Sequence, residues 1–326
     1  MRLFRKCPWV TGLGSRMSDH TVIRIQQMGR MGNSMSQLML ARDVQKLCRH
    51  PIVIEGYDLP EWGLSKPPSD DRIAAVTFGS HLVRKNYLAA LIDRFKPACI
   101  NLSWLALREG NLSDPGDYND IFPLGDGEGA ETPDDRLLVN VRLGDISNLI
   151  HPDYGPLPIS YYQYLEQLTG LRMRFMGELD NSAYVKSLER TFPNAEFCAS
   201  LSPRYDFQTI RRAKHIAIAV SSFSWLGAYL SHAHRIHVPV AGMFDPRNRP
   251  DADLLPIRDP RFAFHEIGRV AWAKRYSDYF PSLTAFSAMP RTTVSKLKSA
   301  ATRRTFVKSA RVHFGIARRL AMKRHG

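Results

Sequence analysis

The chain has 326 residues, 44% hydrophobic and 23% charged, which excludes a disordered or fibrous protein and allows two globular domains or one large one. Its net charge of +14 is unevenly placed: residues 291–326 hold eleven Lys or Arg and no acid, leaving 34 basic against 31 acidic residues in 1–290. The basicity therefore belongs to the C-terminal segment, and the near-neutral body disfavours nucleic acid as a partner.

Four scattered cysteines (Cys7, Cys48, Cys99, Cys198), with no C-x-x-C, exclude a disulfide scaffold and give no zinc pattern. The expectation is a reduced, cytoplasmic chain in which Cys48 and Cys99 are packed rather than reactive. The opening stretch "MRLFRKCPWVTGLG" lacks the apolar run of a signal peptide.

In chain order, "TVIRIQQ" (21–27) reads as a strand, followed by a glycine loop, "MGRMGN". A helix then carries Leu40, Val44, Leu47 and Cys48 on one face. "PIVIEG" is a strand, "RIAAVTF" (72–78) a second, and "LVRKNYLAALIDRF" a helix. "PLGDGEGAETPDDR" (123–136) has three glycines, two prolines and five acids, and is expected to be a linker. The pattern then restarts. "LLVNVRL", "LRMRFMG", "AEFCAS", "HIAIAV" and "RIHVPVA" are strands; "ISYYQYLEQL", "NSAYVKSLERTF" (with an Asn cap), "DFQTIRRA" and "SWLGAYLSH" are helices. Strands alternating with amphipathic helices imply an α/β fold with mostly parallel sheets. The expected domains are 1–122 and 137–290, joined by the linker. Residues 291–326 form a basic amphipathic helix with Phe306, Ala310, Phe314, Ala317 and Ala321 on its apolar face.

The stretch 215–234, "HIAIAVSSFSWLGAYLSHAH", contains no Asp, Glu, Lys or Arg. Its four serines and three histidines, and its broken apolar pattern, argue against a membrane span. A buried strand and helix are expected instead.

Chemistry concentrates at three strand ends. "VNVRLGD" delivers Arg142, Gly144 and Asp145, where a guanidinium can fork onto phosphate oxygens, each charge-assisted bond contributing roughly 1.5–3 kcal/mol. The plain alternative is a surface Arg–Asp pair. Ser221, Ser222 and Ser224 cluster where a helix begins, a position that favours anions; the plain alternative is helix capping. "GRMGNS" (29–34) has G-x-x-G rather than G-x-G-x-x-G, so the pairing with Glu55 is a weak nicotinamide signal. Glu178 ends a further strand and shares with Asp145 the candidacy for general base, Asp145 first.

Together these segments resemble the GDP-fucose-dependent fucosyltransferases. "GRMGNSMSQLMLAR" is similar to their G-x-[LF]-G-N-Q-x-x-Q opening, "VNVRLGDI" to H-V-R-R-G-D, and "AVSSFSWLGAYLS" to N-S-[ST]-F-S-W-W-G-A-x-L. "HPDYGPLPISYYQYL" matches their P-L-P-x-x-[FY]-Y stretch. The resemblance covers motifs between roughly residues 22 and 240. It is greatest to the α-1,2, α-1,6 and protein O-fucosyltransferases, the bacterial α-1,2 type above all. It implies a GT-B fold, two Rossmann-like domains facing across a cleft, with the nucleotide sugar between them. By position, Arg142 would hold the donor pyrophosphate and Ser221, Ser222, Phe223 and Ser224 would line its pocket. Gly32 and Asn33 would reach the donor from the N-terminal side. Asn140, Gly144 and Glu178, at the neighbouring strand ends, are further donor-binding candidates.

Asn140 stands for the family's His, Leu143 for its second Arg and Leu226 for its second Trp. Three readings follow: a metal-independent, inverting transferase moving fucose to a glycan or lipid-linked glycan hydroxyl, a transferase using another nucleotide sugar, or a non-catalytic binding relative. For the basic segment, an anionic membrane surface, which would place the protein peripherally on the inner face, stands beside a solubilising tail.

Overall fold

The computed structural model describes residues 19–69, 75–105, 107–125, 127–146, 155–267 and 286–323. Two parallel sheets organise them. The first contains β1 (Thr21–Ile25), β2 (Ile52–Glu55), β5 (Ala75–Phe78) and β6 (Cys99–Leu102), in the order β2-β1-β6-β5. Helices α1 (Met31–Leu47) and α2 (Lys85–Phe95) make the connections, and a small hairpin, β3 (Tyr57–Leu59) with β4 (Leu64–Lys66), stands apart. Ile23 sits in register with Ile54 on one side and Ile100 on the other, and all five residues of β1 are buried, as an inner strand covered on both faces requires.

The second sheet runs β13-β12-β11-β10-β7-β8-β9. From β7 (Arg136–Val141) the chain steps outward through α3 (Ile159–Thr169), β8 (Arg172–Gly177), α4 (Ala183–Thr191) and β9 (Glu196–Ala199). It then returns through α5 (Pro203–Arg212) to β10 (His215–Ala217) on the other side of β7. From there α6 (Ser222–Tyr229), β11 (Arg235–Val240) and β12 (Phe262–Ile267) follow in that direction. Only β13 (Phe286–Met289) runs antiparallel. The order reverses between β7 and β10, and the crevice at the carboxyl ends of such a pair is where open α/β sheets take ligands.

Several sequence expectations are corrected in detail. Met31 to Ser34 are not loop but the first turn of α1, leaving only residues 26–30 between strand and helix. Leu40 and Val44 are buried as expected, but Leu47 is exposed, because α1 ends there. The cap of α4 is Ser182, whose hydroxyl accepts from the Val185 amide, not Asn181. Strands β6, β12 and β13 and the hairpin were not foreseen. Part of "RIAAVTF" and of "HPDYGPLPISYYQYL" (72–74 and 151–154) lies outside the described residues.

The acidic segment before β7 is held rather than loose. Arg212 donates to the Glu128 carbonyl at 2.6 Å, Arg204 pairs with the Glu128 carboxylate at 2.7 Å, and the Ala130 amide donates to Thr209 at 2.8 Å. The final helix, α7 (Arg291–Lys323), is not an appended tail. Val294, Ala301, Ile316 and Leu320 are buried, and Lys298 turns inward onto Glu109 (2.5 Å) and Asp253 (2.9 Å). Among the described residues, no helix is long and apolar enough to cross a membrane.

Candidate functional site

The carboxyl edges of the two sheets meet through a short set of side chains. Arg142 follows β7 and Glu178 follows β8, and the Arg142 guanidinium donates to Glu178 Oε1 at 3.1 Å. The other Glu178 oxygen accepts the Leu143 amide at 2.8 Å. From the first sheet, Arg30 donates to the same Oε1 at 2.9 Å. One carboxylate thus holds two guanidiniums, one from each sheet. Gly144 adopts φ +55°, a left-handed conformation that favours glycine, and a Cβ there would lie 3.0 Å from the Glu178 carboxylate and press on its position.

Beside this cluster, the first turns of α1 and α6 pack against each other. A Cβ on Gly32 would lie 2.8 Å from Phe223 Cα. Ser222 Oγ donates to Asn33 Oδ1 at 2.6 Å. Ser221 is the N-cap of α6, its hydroxyl accepting from the Phe223 amide at 3.2 Å, so the capping reading holds for this serine. Arg30 occupies the N-cap position of α1 and supplies no side-chain cap. Two helix amino termini and two guanidiniums therefore converge on one region against one carboxylate, an arrangement that favours a polyanion.

Not every predicted residue faces that region. Ser224 is fully buried and donates to the Ala219 carbonyl at 3.2 Å; it secures the turn from β10 into α6. Asn140 is buried within β7, in register with Met176, and Leu143 is buried too. Phe223 packs edge-on against Phe207. The backbone of Asp145 lies in a short turn, Gly144–Ile146, next to Arg142; its side chain is outside the described residues. Gly32, Asn33, Ser221, Ser222, Arg142, Gly144 and Glu178 are brought together. Arg30 was missed by sequence reasoning, although it lies inside the "GRMGN" motif; no local signal separates it from any other loop arginine.

The nicotinamide signal is lost. Glu55 is buried and carries Arg24 at 2.9 Å and the Ser69 hydroxyl at 2.7 Å. Burial opposes its ionisation, but the bonds from Ser69 and Arg24 hold its carboxyl below the usual range. Its lone pairs serve the fold.

Two grooves lie elsewhere. One, of about 550 Å³, is lined by His215, Arg235 and Phe262, the first residues of β10, β11 and β12, and so opens on the amino edge of the sheet, opposite Arg142. His237 and His265 line it and are linked at 2.9 Å, and Tyr164 behind them is linked to His265 at 3.2 Å. The other, of about 260 Å³, lies between α2 and α7 and is lined by Arg84, Tyr87, Arg108, Phe306 and His313 among others.

Among the described residues, no group of three His, Cys, Asp or Glu side chains is placed to hold a metal ion. The expectation of a metal-free reaction overlooked the D-x-D triplet at 251–253. The structure engages both acids with cations, Asp251 with Arg249 at 3.1 Å and Asp253 with Lys298 at 2.9 Å. No protein-family model matches the chain, and no curated protein matches it.

Proposed function

We propose that this chain is an inverting, metal-independent glycosyltransferase of the GT-B kind, transferring fucose from GDP-fucose to a glycan hydroxyl. The observation that carries the reading is the meeting of Arg142, Arg30 and the first turns of α1 and α6 where β7 and β10 diverge. That convergence supplies donors and positive potential for a pyrophosphate. The three motifs that resemble fucosyltransferases are the three segments it unites.

In the proposed reaction the acceptor hydroxyl attacks the sugar's anomeric carbon opposite the pyrophosphate. The anomeric C–O bond breaks, its electron pair leaves with the nucleoside diphosphate, and the acceptor proton passes to Asp145 as base. Charge grows on the pyrophosphate in the transition state, where Arg142, Arg30 and the α6 terminus offset it. Glu178 acts as the positioning residue for both guanidiniums. Arg30 stands in for the cation missing at Leu143, which is buried.

Arg142→Ala tests the reading. Donor affinity and turnover should both fall, by about tenfold or more in affinity for the loss of a bidentate charged contact. Unchanged values in a donor-binding and transfer assay would remove it. The buried Leu143 favours a second reading, a transferase using another nucleotide sugar. A melting screen separates them: stabilisation by GDP supports the first, by UDP or TDP the second, and by no nucleotide a non-catalytic relative.

A further inference from the structure

One side of helix α7 carries most of its packing onto the fold, and Arg304 on another side donates to the Pro246 carbonyl at 2.7 Å. Val294, Lys298, Ala301, Thr305, Ile316 and Leu320 fall on one side and pack inward. Phe306, Ala310, Phe314, Ala317 and Ala321 lie about a third of a turn away by helix geometry. Of these, Phe306 and Phe314 are 68% and 71% exposed and Ala310 is exposed as well. The remaining side carries the exposed cations Lys308, Arg311 and Arg318. Phe306, Ala310 and Phe314 of the apolar face are thus turned outward, Ala317 packs partly against the core, and a different set of residues anchors the helix.

We propose that α7 docks the protein on an anionic phospholipid bilayer. Phe306 and Phe314 enter the boundary between headgroups and acyl chains, and Lys308, Arg311 and Arg318 meet lipid phosphates. The proposal rests on α7 alone and does not depend on the transferase reading. Charge complementarity selects this occupant. Residues 291–326 hold eleven cations and no acid, so two copies facing each other through the stripe would set like charges together. A nucleic acid would use the cations but leave two outward phenylalanines in water. A bilayer accepts both, and the rigid mounting of α7 by its buried side leaves the stripe presented without an ordering cost on binding. The groove between α2 and α7 opens along the stripe at Phe306, adding exposed Arg84 and Tyr87 to the same surface.

The test is sedimentation of the full chain with vesicles of phosphatidylcholine, with and without phosphatidylglycerol. The parent should pellet with the anionic vesicles, less so as salt rises. The F306S/F314S double variant should partition about tenfold more weakly or worse, and K308E/R311E should lose the preference for anionic lipid. All four positions are exposed, so the variants should melt with the parent. Equal pelleting of parent and F306S/F314S would overturn the proposal, as would equal pelleting with neutral vesicles or no pelleting at all. So would a parent that is dimeric where F306S/F314S is monomeric. Binding of a duplex oligonucleotide by both proteins without vesicle binding would assign the cations to nucleic acid instead.

Discussion

Ser222 donates to Asn33 at 2.6 Å across 189 residues of sequence, joining the first turn of α6 to the first turn of α1. The contact links the two sheets at the point where Arg30 and Arg142 share Glu178. Asn33→Ala removes the acceptor while leaving the helix intact. Stability should fall by about 0.5–1.5 kcal/mol, readable in a chain of this length as a melting temperature lower by about 1–2 °C. An unchanged melt would show that the bond adds nothing over water.

Gly32 and Gly315 should respond oppositely to alanine. A Cβ at Gly32 would lie 2.8 Å from Phe223 Cα and 3.0 Å from its nitrogen, and neither backbone atom can swing aside. Separating α1 from α6 should cost about 1–3 kcal/mol, more than the gain of up to ~1 kcal/mol in helix propensity. At Gly315, on α7, a Cβ meets nothing within 4 Å, so only the propensity gain remains. Denaturant melts should place Gly32→Ala below the parent and Gly315→Ala above it.

Glu178→Gln leaves two guanidiniums without their shared anion. Because Arg30 and Glu178 are partly exposed, the loss should be near 1 kcal/mol rather than that of a buried pair. Inorganic pyrophosphate should then raise the melting temperature of the variant by more than it raises that of the parent. Equal shifts would mean that the two arginines do not receive the anion.

The histidine pair against the large groove makes stability fall in mild acid. Burial lowers the His237 imidazole from 6.5 to about 3, with His265 beside it, and burial lowers His265 to about 4. Both are neutral in the fold, whereas the unfolded chain binds protons below about 6.5. Their contribution is therefore complete above pH 6.5 and is lost progressively as pH falls toward 4 and 3. His265→Gln should give a flatter stability profile between pH 6.5 and 4. A slope equal to the parent's would assign the acid sensitivity to other groups.

Local sequence carried the α/β alternation because strand and helix burial impose different periods on the residues themselves. It also marked the three strand ends as chemically unusual, and the charge-free stretch 215–234 as buried. There β10 is covered as an inner strand, and α6 lies against α1 on one side and α5 on another. Strands as short as "CINL" (99–102) escaped notice because four residues, one of them the polar Asn101, are too few to show a period.

What tertiary structure alone decided was which surfaces meet. An apolar stripe states that a helix has a side that avoids water, not what covers it. In α7 the side that packs includes a lysine and a threonine, while two phenylalanines face out. Arg30 reads as an ordinary loop residue until the folding of two sheets brings it to the carboxylate that Arg142 also holds. Burial is written along the chain, residue by residue; the convergence of distant strand ends depends on packing between elements whose partners no local window contains.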